Sequence, residues 1–290
     1  MFEDMKIAFI GSGVMAEAMI AGLIRQKVAQ PDMMLASGPR EERGTELESR
    51  YGIQALTDNS AAAEAGDVVV LSVKPQRLDS VLEGLRGSIK AEALILSIVA
   101  GASIARIGGI LRHQAIIRAM PNTPAQIGEG ITVWTAAPGV SEEQRDMGQQ
   151  ILAALGQEIF MEEETYLNMA TALSGTGPAY VFLFMEAMVD AGVHLGFPRR
   201  VAEQLVAQTL RGSVDYYTRD TDPLHLARLR NQVTSPGGTS AAALYYLEKA
   251  GFRTAISRAI WAAYERSREL GQDARAHWPE NLSQQDNDRG

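Results

Sequence analysis

"IAFIGSGVMAEAMIAGLI", residues 7–24, decides the fold. Four apolar residues run into Gly11-Ser12-Gly13-Val14-Met15-Ala16, and an amphipathic stretch follows at once. A strand that becomes a helix through G-x-G-x-x-A begins a dinucleotide-binding βαβ unit. Gly11 permits the tight turn, Gly13 lets the backbone approach a pyrophosphate, and small Ala16 lets the helix pack on the strand. The phosphates then sit at the helix N-terminus, where free N–H groups and the dipole favour negative charge. Gly11, Ser12, Gly13, Val14 and Met15 are therefore expected to line a cofactor.

Outward from this unit, β-rich runs at 6–10, 33–37, 67–73, 93–99, 115–120 and 157–161 alternate with helix-like segments at 14–27, 40–50, 76–86 and 141–155. Near-continuous apolar strands separated by helices predict an α/β domain over 1–163: a Rossmann-like, doubly wound, mostly parallel sheet covered on both faces. The stretch 128–136 adds an antiparallel strand near the edge. After Glu164 the period lengthens, with helices expected at 176–195, 199–219, 222–231, 239–250 and 252–270. Residues 164–271 thus read as an all-helical domain. Several of these helices are apolar on more than one face, which favours burial against a second subunit, a homodimer or larger, over one compact monomeric bundle. The polar, aperiodic stretch 272–290 reads as a disordered tail.

The chain has 290 residues, 46% hydrophobic and 21% charged, enough for two domains with a sizeable core. A formal net charge of -8 argues against a sequence-independent nucleic-acid binder, since no broad basic surface is available. Cysteine is absent, which removes disulfides, thiolate nucleophiles and Cys-ligated metals and fits a reducing compartment. "MFEDMKIAFIG" carries acids before a short apolar run, the wrong pattern for a signal peptide or membrane span. A cytoplasmic protein is expected.

The end of the second strand selects the dinucleotide. An NAD site usually places an acid there to hold the ribose 2′-hydroxyl, but the chain reads Leu35-Ala36-Ser37-Gly38-Pro39-Arg40. The Ser37 hydroxyl and the Arg40 cation suit a 2′-phosphate, so NADPH is expected over NADH; the plain alternative for Arg40 is a solvated first-turn residue. Two more loops follow strand ends, Val73-Lys74-Pro75-Gln76 and Met120-Pro121-Asn122-Thr123-Pro124-Ala125. They offer Lys74 and Asn122 to the cofactor, or serve as a surface lysine and a rigid turn.

No metal site is expected, because the four histidines are scattered and no HExxH spacing occurs. Polar chemistry in the second half concentrates at 172–180 and at "VTSPGGTSAAAL", 233–244. Thr234 or Ser235 can cap a helix, Pro236 suits its first turn, and the glycines bare N–H groups. A carboxylate there gains roughly 0.3–1 kcal/mol from the dipole, nearing ~2 if partly buried. This predicts a small carboxylate substrate, against the alternative of a capped helix that binds nothing.

These motifs, in this order, resemble the 1-pyrroline-5-carboxylate reductase family from about residue 5 to about 270. The resemblance rests on Gly11 to Met15, Val73 to Gln76, Met120 to Pro124, Leu173 to Tyr180 and above all Val233 to Leu244. It implies NADPH-dependent reduction of a cyclic imine to L-proline, the last step of proline biosynthesis. It also implies a helical domain that interlocks with a second subunit. By position, Ser37, Arg40, Asn59, Val73, Lys74 and Pro75 would line the cofactor. Gly238, Thr239 and Ser240, with Ser235 heading the stretch, would bind the substrate, and Glu164 would lie on the substrate side. Many members carry Thr-Thr where this chain has Thr239-Ser240, so Ser240 would supply the hydroxyl beside the imine nitrogen. A hydroxyacid dehydrogenase would usually need a lysine early in the second domain, and Gly175 to Gly192 has none. A non-catalytic NADP(H) sensor would not need the intact Ser235 to Ser240 stretch.

Overall fold

Why the first strand is central follows from its composition. β1 (Ile7–Ile10) is buried along its whole length, as only a strand flanked on both sides and covered on both faces can be. It leads through Gly11–Gly13 into α1 (Val14–Arg25), then β2 (Met34–Ser37), α2 (Glu41–Tyr51), β3 (Gln54–Leu56), α3 (Asn59–Ala65) and β4 (Val68–Leu71). The series continues with α4 (Leu78–Gly84), β5 (Leu94–Ser97), α5 (Ile104–Leu111), β6 (Ile116–Met120), β7 (Gly130–Ala136), α6 (Glu142–Ala153) and β8 (Gly156–Phe160). The computed structural model describes residues 5–219 and 224–272. The tail expected over 272–290 and His277 lie beyond the described residues, Gln272 apart, as does the start of the helix expected over 222–231.

The strands form one sheet in the order β3-β2-β1-β4-β5-β6-β7-β8. Every pairing is parallel except β6 with β7. The strand expected over 128–136 is therefore antiparallel and near the edge, but β8, parallel to β7, forms the edge itself. The chain order reverses between β1 and β4, so the loops after these strands diverge and open a crevice at their carboxyl ends. Three elements not anticipated from the sequence, β3, α3 and α5, complete this series.

Alternation along the strands builds two core layers. Phe9, Val68, Val70, Leu94 and Leu96 face α1, α2 and α6 through Met19, Leu23, Leu47 and Ile151. Ile10, Val69, Leu71 and Ile95 face α3, α4 and α5 through Ala62, Leu78, Leu82 and Ile107.

By compactness the described residues divide into one unit that ends at Thr176 and regains residues 263–272, and a second unit, Gly177–Ala262. The first unit thus keeps α7 (Tyr166–Ala170) and a π-helical turn, Thr171–Gly175. Leu167 and Ala172 are buried there. The second unit holds α8 (Gly177–His194), α9 (Arg199–Thr218), α10 (Leu226–Gln232), α11 (Thr239–Lys249) and the first half of α12 (Phe252–Gln272). Its own core is small: Val189, Ala202 and Val206 are its buried apolar cluster. Phe182, Leu183, Leu205, Tyr246 and Trp261 are meanwhile exposed. The helical run Tyr166–His194 is long and apolar enough to cross a membrane by length and composition.

Candidate functional site

The turn after β1 demands glycine at its first position. Gly11 has φ +105°, and a Cβ there would lie 2.8 Å from the Ser72 carbonyl oxygen in the loop after β4. Gly13 is the N-cap of α1, and a Cβ there would meet nothing within 4 Å. No side chain caps this helix, so its first N–H groups are unclaimed beside the crevice, a setting that suits a pyrophosphate. Ala16 is fully buried against the sheet. Val14 is exposed and Met15 partly so.

At the end of β2 the structure revises the expected role of Ser37. This residue is fully buried and donates its hydroxyl to Asn59 Oδ1 at 2.7 Å, with the Phe9 carbonyl oxygen at 3.3 Å. It is placed to hold Asn59, at the start of α3, rather than to meet a phosphate itself. Arg40 is the exposed N-cap residue of α2, and its guanidinium makes no ion pair among the described residues. Arg43, outside every motif of the sequence, lies one turn further along. It donates from Nε to the Ser12 carbonyl oxygen at 3.1 Å, and its other two nitrogens bind Glu46 and Glu17. Burial pushes the Glu17 carboxyl up, but hydrogen bonds from Arg43, Tyr51 and Arg50 outweigh this and hold it below the ordinary carboxylate range. The spacing of three from Arg40 on one helix was the available signal.

After β4, Val73 and Pro75 are half-buried and Lys74 is exposed, entering a 3-10 turn at Pro75–Arg77. Asn122, expected at the cofactor, uses both ends of its amide inside the first unit. Its Oδ1 accepts from Ile131 N at 3.0 Å, and its Nδ2 donates to the Ser174 carbonyl at 3.3 Å. That geometry ties the Pro-Asn-Thr-Pro loop to β7 and to the π-helical turn. Glu164 is likewise committed: its Oε1 accepts from Arg118 at 2.8 Å and from Ile104 N, at the start of α5, at 2.9 Å. Arg118 is buried on β6 and reaches on to Asn168, whose Oδ1 also accepts from Ser267 at 3.4 Å. Placing one carboxylate oxygen against a buried guanidinium makes Glu164 first a structural partner. Nothing local in the sequence marks a pair 46 residues apart.

In the second unit the stretch 233–238 is a loop between α10 and α11. The N-cap expected at Thr234 or Ser235 is displaced to Gly238. The Thr234 hydroxyl turns back to the Arg230 carbonyl at 2.7 Å and so closes α10. Gly237 has φ +70°, and a Cβ on Gly238 would meet Ser235 Oγ at 2.5 Å. With no side-chain cap, the N–H groups of Thr239, Ser240 and Ala241 stand open at the head of α11. The hydroxyls of Ser235, Thr239 and Ser240 make no hydrogen bond among the described residues. Open N–H groups, a helix dipole and a nearby hydroxyl can together hold a carboxylate and one further polar atom.

None of the described histidines joins these clusters. His113 Nε2 lies 2.7 Å from the Ala93 carbonyl, His225 caps α10 and His194 ends α8.

A family profile described as pyrroline-5-carboxylate reductase dimerisation matches residues 164–270, and one described as NADP oxidoreductase coenzyme F420-dependent matches residues 6–101. The pyrroline-5-carboxylate reductase of Synechocystis is 42% identical over 268 residues, 92% of this chain and 99% of the relative. That of Pseudomonas aeruginosa is 39% identical over 269 residues, 92% and 97%. A crystal structure of the Plasmodium falciparum pyrroline carboxylate reductase with NADP bound superposes with a TM-score of 0.85 at 30% identity, covering 93% of this chain and all of that one.

Proposed function

The chain belongs to the pyrroline-5-carboxylate reductase family, and from that membership we infer that it reduces 1-pyrroline-5-carboxylate to L-proline. When bound, NADPH supplies the hydride for this reaction. The observation that carries the reading of the substrate site is the uncapped start of α11 with the unpaired Ser240 hydroxyl at its second position. The N–H groups of Thr239, Ser240 and Ala241 bind the substrate carboxylate. Ser240 orients the ring nitrogen and holds a proton on it, so that the imine carbon is electrophilic when hydride arrives. Because a protonated cyclic imine accepts hydride directly, positioning and electrostatics suffice, and no histidine relay is required. Gly238 and Thr239 shape this site, with Ser235 packed beneath Gly238.

The fit for the dinucleotide rests on the Gly11 turn, the open space at Gly13 and the unclaimed N–H groups of α1. Ser12, Val14, Met15, Val73, Lys74 and Pro75 line it, Asn59 is held by Ser37, and Arg40 meets the 2′-phosphate, which ranks NADPH above NADH. Asn122 keeps its loop in shape.

Functionally the chain divides into a cofactor domain, 1–163, and a substrate and dimerisation domain, 164–271. The apolar run Tyr166–His194 is covered by a second subunit rather than by a bilayer, a reading supported by the dimerisation profile that spans residues 164–270. The enzyme then acts in the cytoplasm, at the last step of proline biosynthesis, as a homodimer or a larger homo-oligomer. Supplying purified protein with NADPH and 1-pyrroline-5-carboxylate tests the reading: proline forms as NADPH is consumed, and no turnover on this imine would overturn it.

A further inference from the structure

The glycine turn is held from outside by a side chain. Arg43 donates from Nε to the Ser12 carbonyl oxygen at 3.1 Å, while Glu17 from α1 and Glu46 from α2 take its remaining two nitrogens, Glu46 at 2.7 Å. Glu17 is itself braced by Arg50 at 2.6 Å and by the Tyr51 hydroxyl at 2.9 Å. The Arg43 side chain is 15% exposed and that of Glu17 17%. This guanidinium is thus fixed in place before any ligand arrives.

The Ser12 carbonyl belongs to the same planar, trans peptide as the Gly13 N–H, and the two point in opposite directions. Holding the carbonyl toward Arg43 therefore aims the Gly13 N–H away from it. That N–H has no partner among the described residues, and the space at Gly13 is open. Next to a glycine, a peptide is otherwise free to rotate. A cationic donor on the carbonyl also polarises the peptide and makes its N–H a stronger donor.

We propose that Arg43 is a positioning residue for the cofactor: it clamps the Ser12–Gly13 peptide so that the Gly13 N–H is presented to the dinucleotide pyrophosphate. The inference rests on the reading of this crevice as the NADPH site. Because the pyrophosphate is common to both dinucleotides, the clamp serves NADPH and NADH alike, whereas Arg40 serves only the 2′-phosphate.

The test is direct binding without substrate, titrating NADPH and NADH separately by calorimetry into wild type, Arg43→Met, Arg43→Lys and Arg40→Ala. Arg43→Met keeps the stem and removes the donors, and is expected to weaken both cofactors by a common factor of about tenfold. Arg43→Lys, whose single ammonium cannot bridge Ser12 and both carboxylates, is expected to fall between. Arg40→Ala is expected to weaken NADPH alone. Loss confined to NADPH in Arg43→Met would mean that Arg43 reads the 2′-phosphate and would overturn the clamp. Unchanged affinity for both, in a variant folded at the measuring temperature, would overturn it too. Should Arg43→Met fail to fold, Glu17→Gln removes the charge that braces Arg43, and it must show the common loss in smaller measure. If Arg40→Ala does not separate the two cofactors, the assignment of the 2′-phosphate fails while the clamp is judged on its own pair of titrations.

Discussion

Buried Ser37 and half-buried Asn59 form a pair in which the serine hydroxyl donates to Asn59 Oδ1 at 2.7 Å, 22 residues away in sequence. Because Ser37 is wholly enclosed, its contribution passes through Asn59, whose amide nitrogen has no partner among the described residues. Ser37→Ala removes the anchor and leaves that oxygen unsatisfied. The expected outcome is NADPH binding weakened about three- to tenfold, with turnover at saturation little changed. Calorimetric titration beside steady-state kinetics checks it, and unaltered affinity would disconnect Ser37 from the cofactor.

Acid should destabilise the first unit through two carboxylates. Burial pushes Asp67 up, but the Lys90 ammonium at 2.6 Å and the Lys6 backbone N–H hold it below the ordinary range, as Arg43 and its neighbours hold Glu17. A carboxyl depressed in the folded state contributes stability that is complete above its unfolded value, about pH 4, and is lost as pH falls through its folded value. The melting temperature is therefore expected to drop below about pH 4, and less steeply in Asp67→Asn, which lacks one of the groups that must be protonated. Equal slopes in both proteins would remove Asp67 from the effect.

Much of this was legible in the sequence because the decisive signals are local. Gly11 to Ala16 sits between a strand and a helix, and the apolar runs of β1, β4 and β5 read as buried strands. Other features were hidden by length or by distance along the chain. β3 spans three residues, and α5 carries Gly108 and Gly109 in its middle, so neither shows a clear period. The placement of β7 between an antiparallel and a parallel neighbour depends on pairings that no short window contains. The same holds at the site. Ser240 and its glycines announce themselves, but Thr234 turns back onto α10 and leaves Gly238 as the N-cap of α11, a choice no local pattern marks. The structural commitments of Asn122 and Glu164 come from partners far away in sequence.

The helical unit should depend on association. Its buried apolar cluster is three residues, while Phe182 and Leu183 on α8 are 64% and 67% exposed, more apolar surface than an isolated bundle this small can leave in water. Leu183→Glu places a charge on that face. Sedimentation is expected to show wild type as a dimer or larger and the variant shifted toward monomer with a lower melting temperature. A wild type that sediments as a stable monomer would contradict this.

The central claim is that Ser240, at the open start of α11, acts on the substrate nitrogen and not on the cofactor. Turnover of 1-pyrroline-5-carboxylate by Ser240→Ala, measured beside the NADPH dissociation constant, tests it most directly. Turnover is expected to fall about a hundredfold, as when a single donor to a developing charge is removed, with NADPH affinity essentially that of wild type. Wild-type turnover in the variant, or a loss explained wholly by weaker NADPH binding, would contradict it.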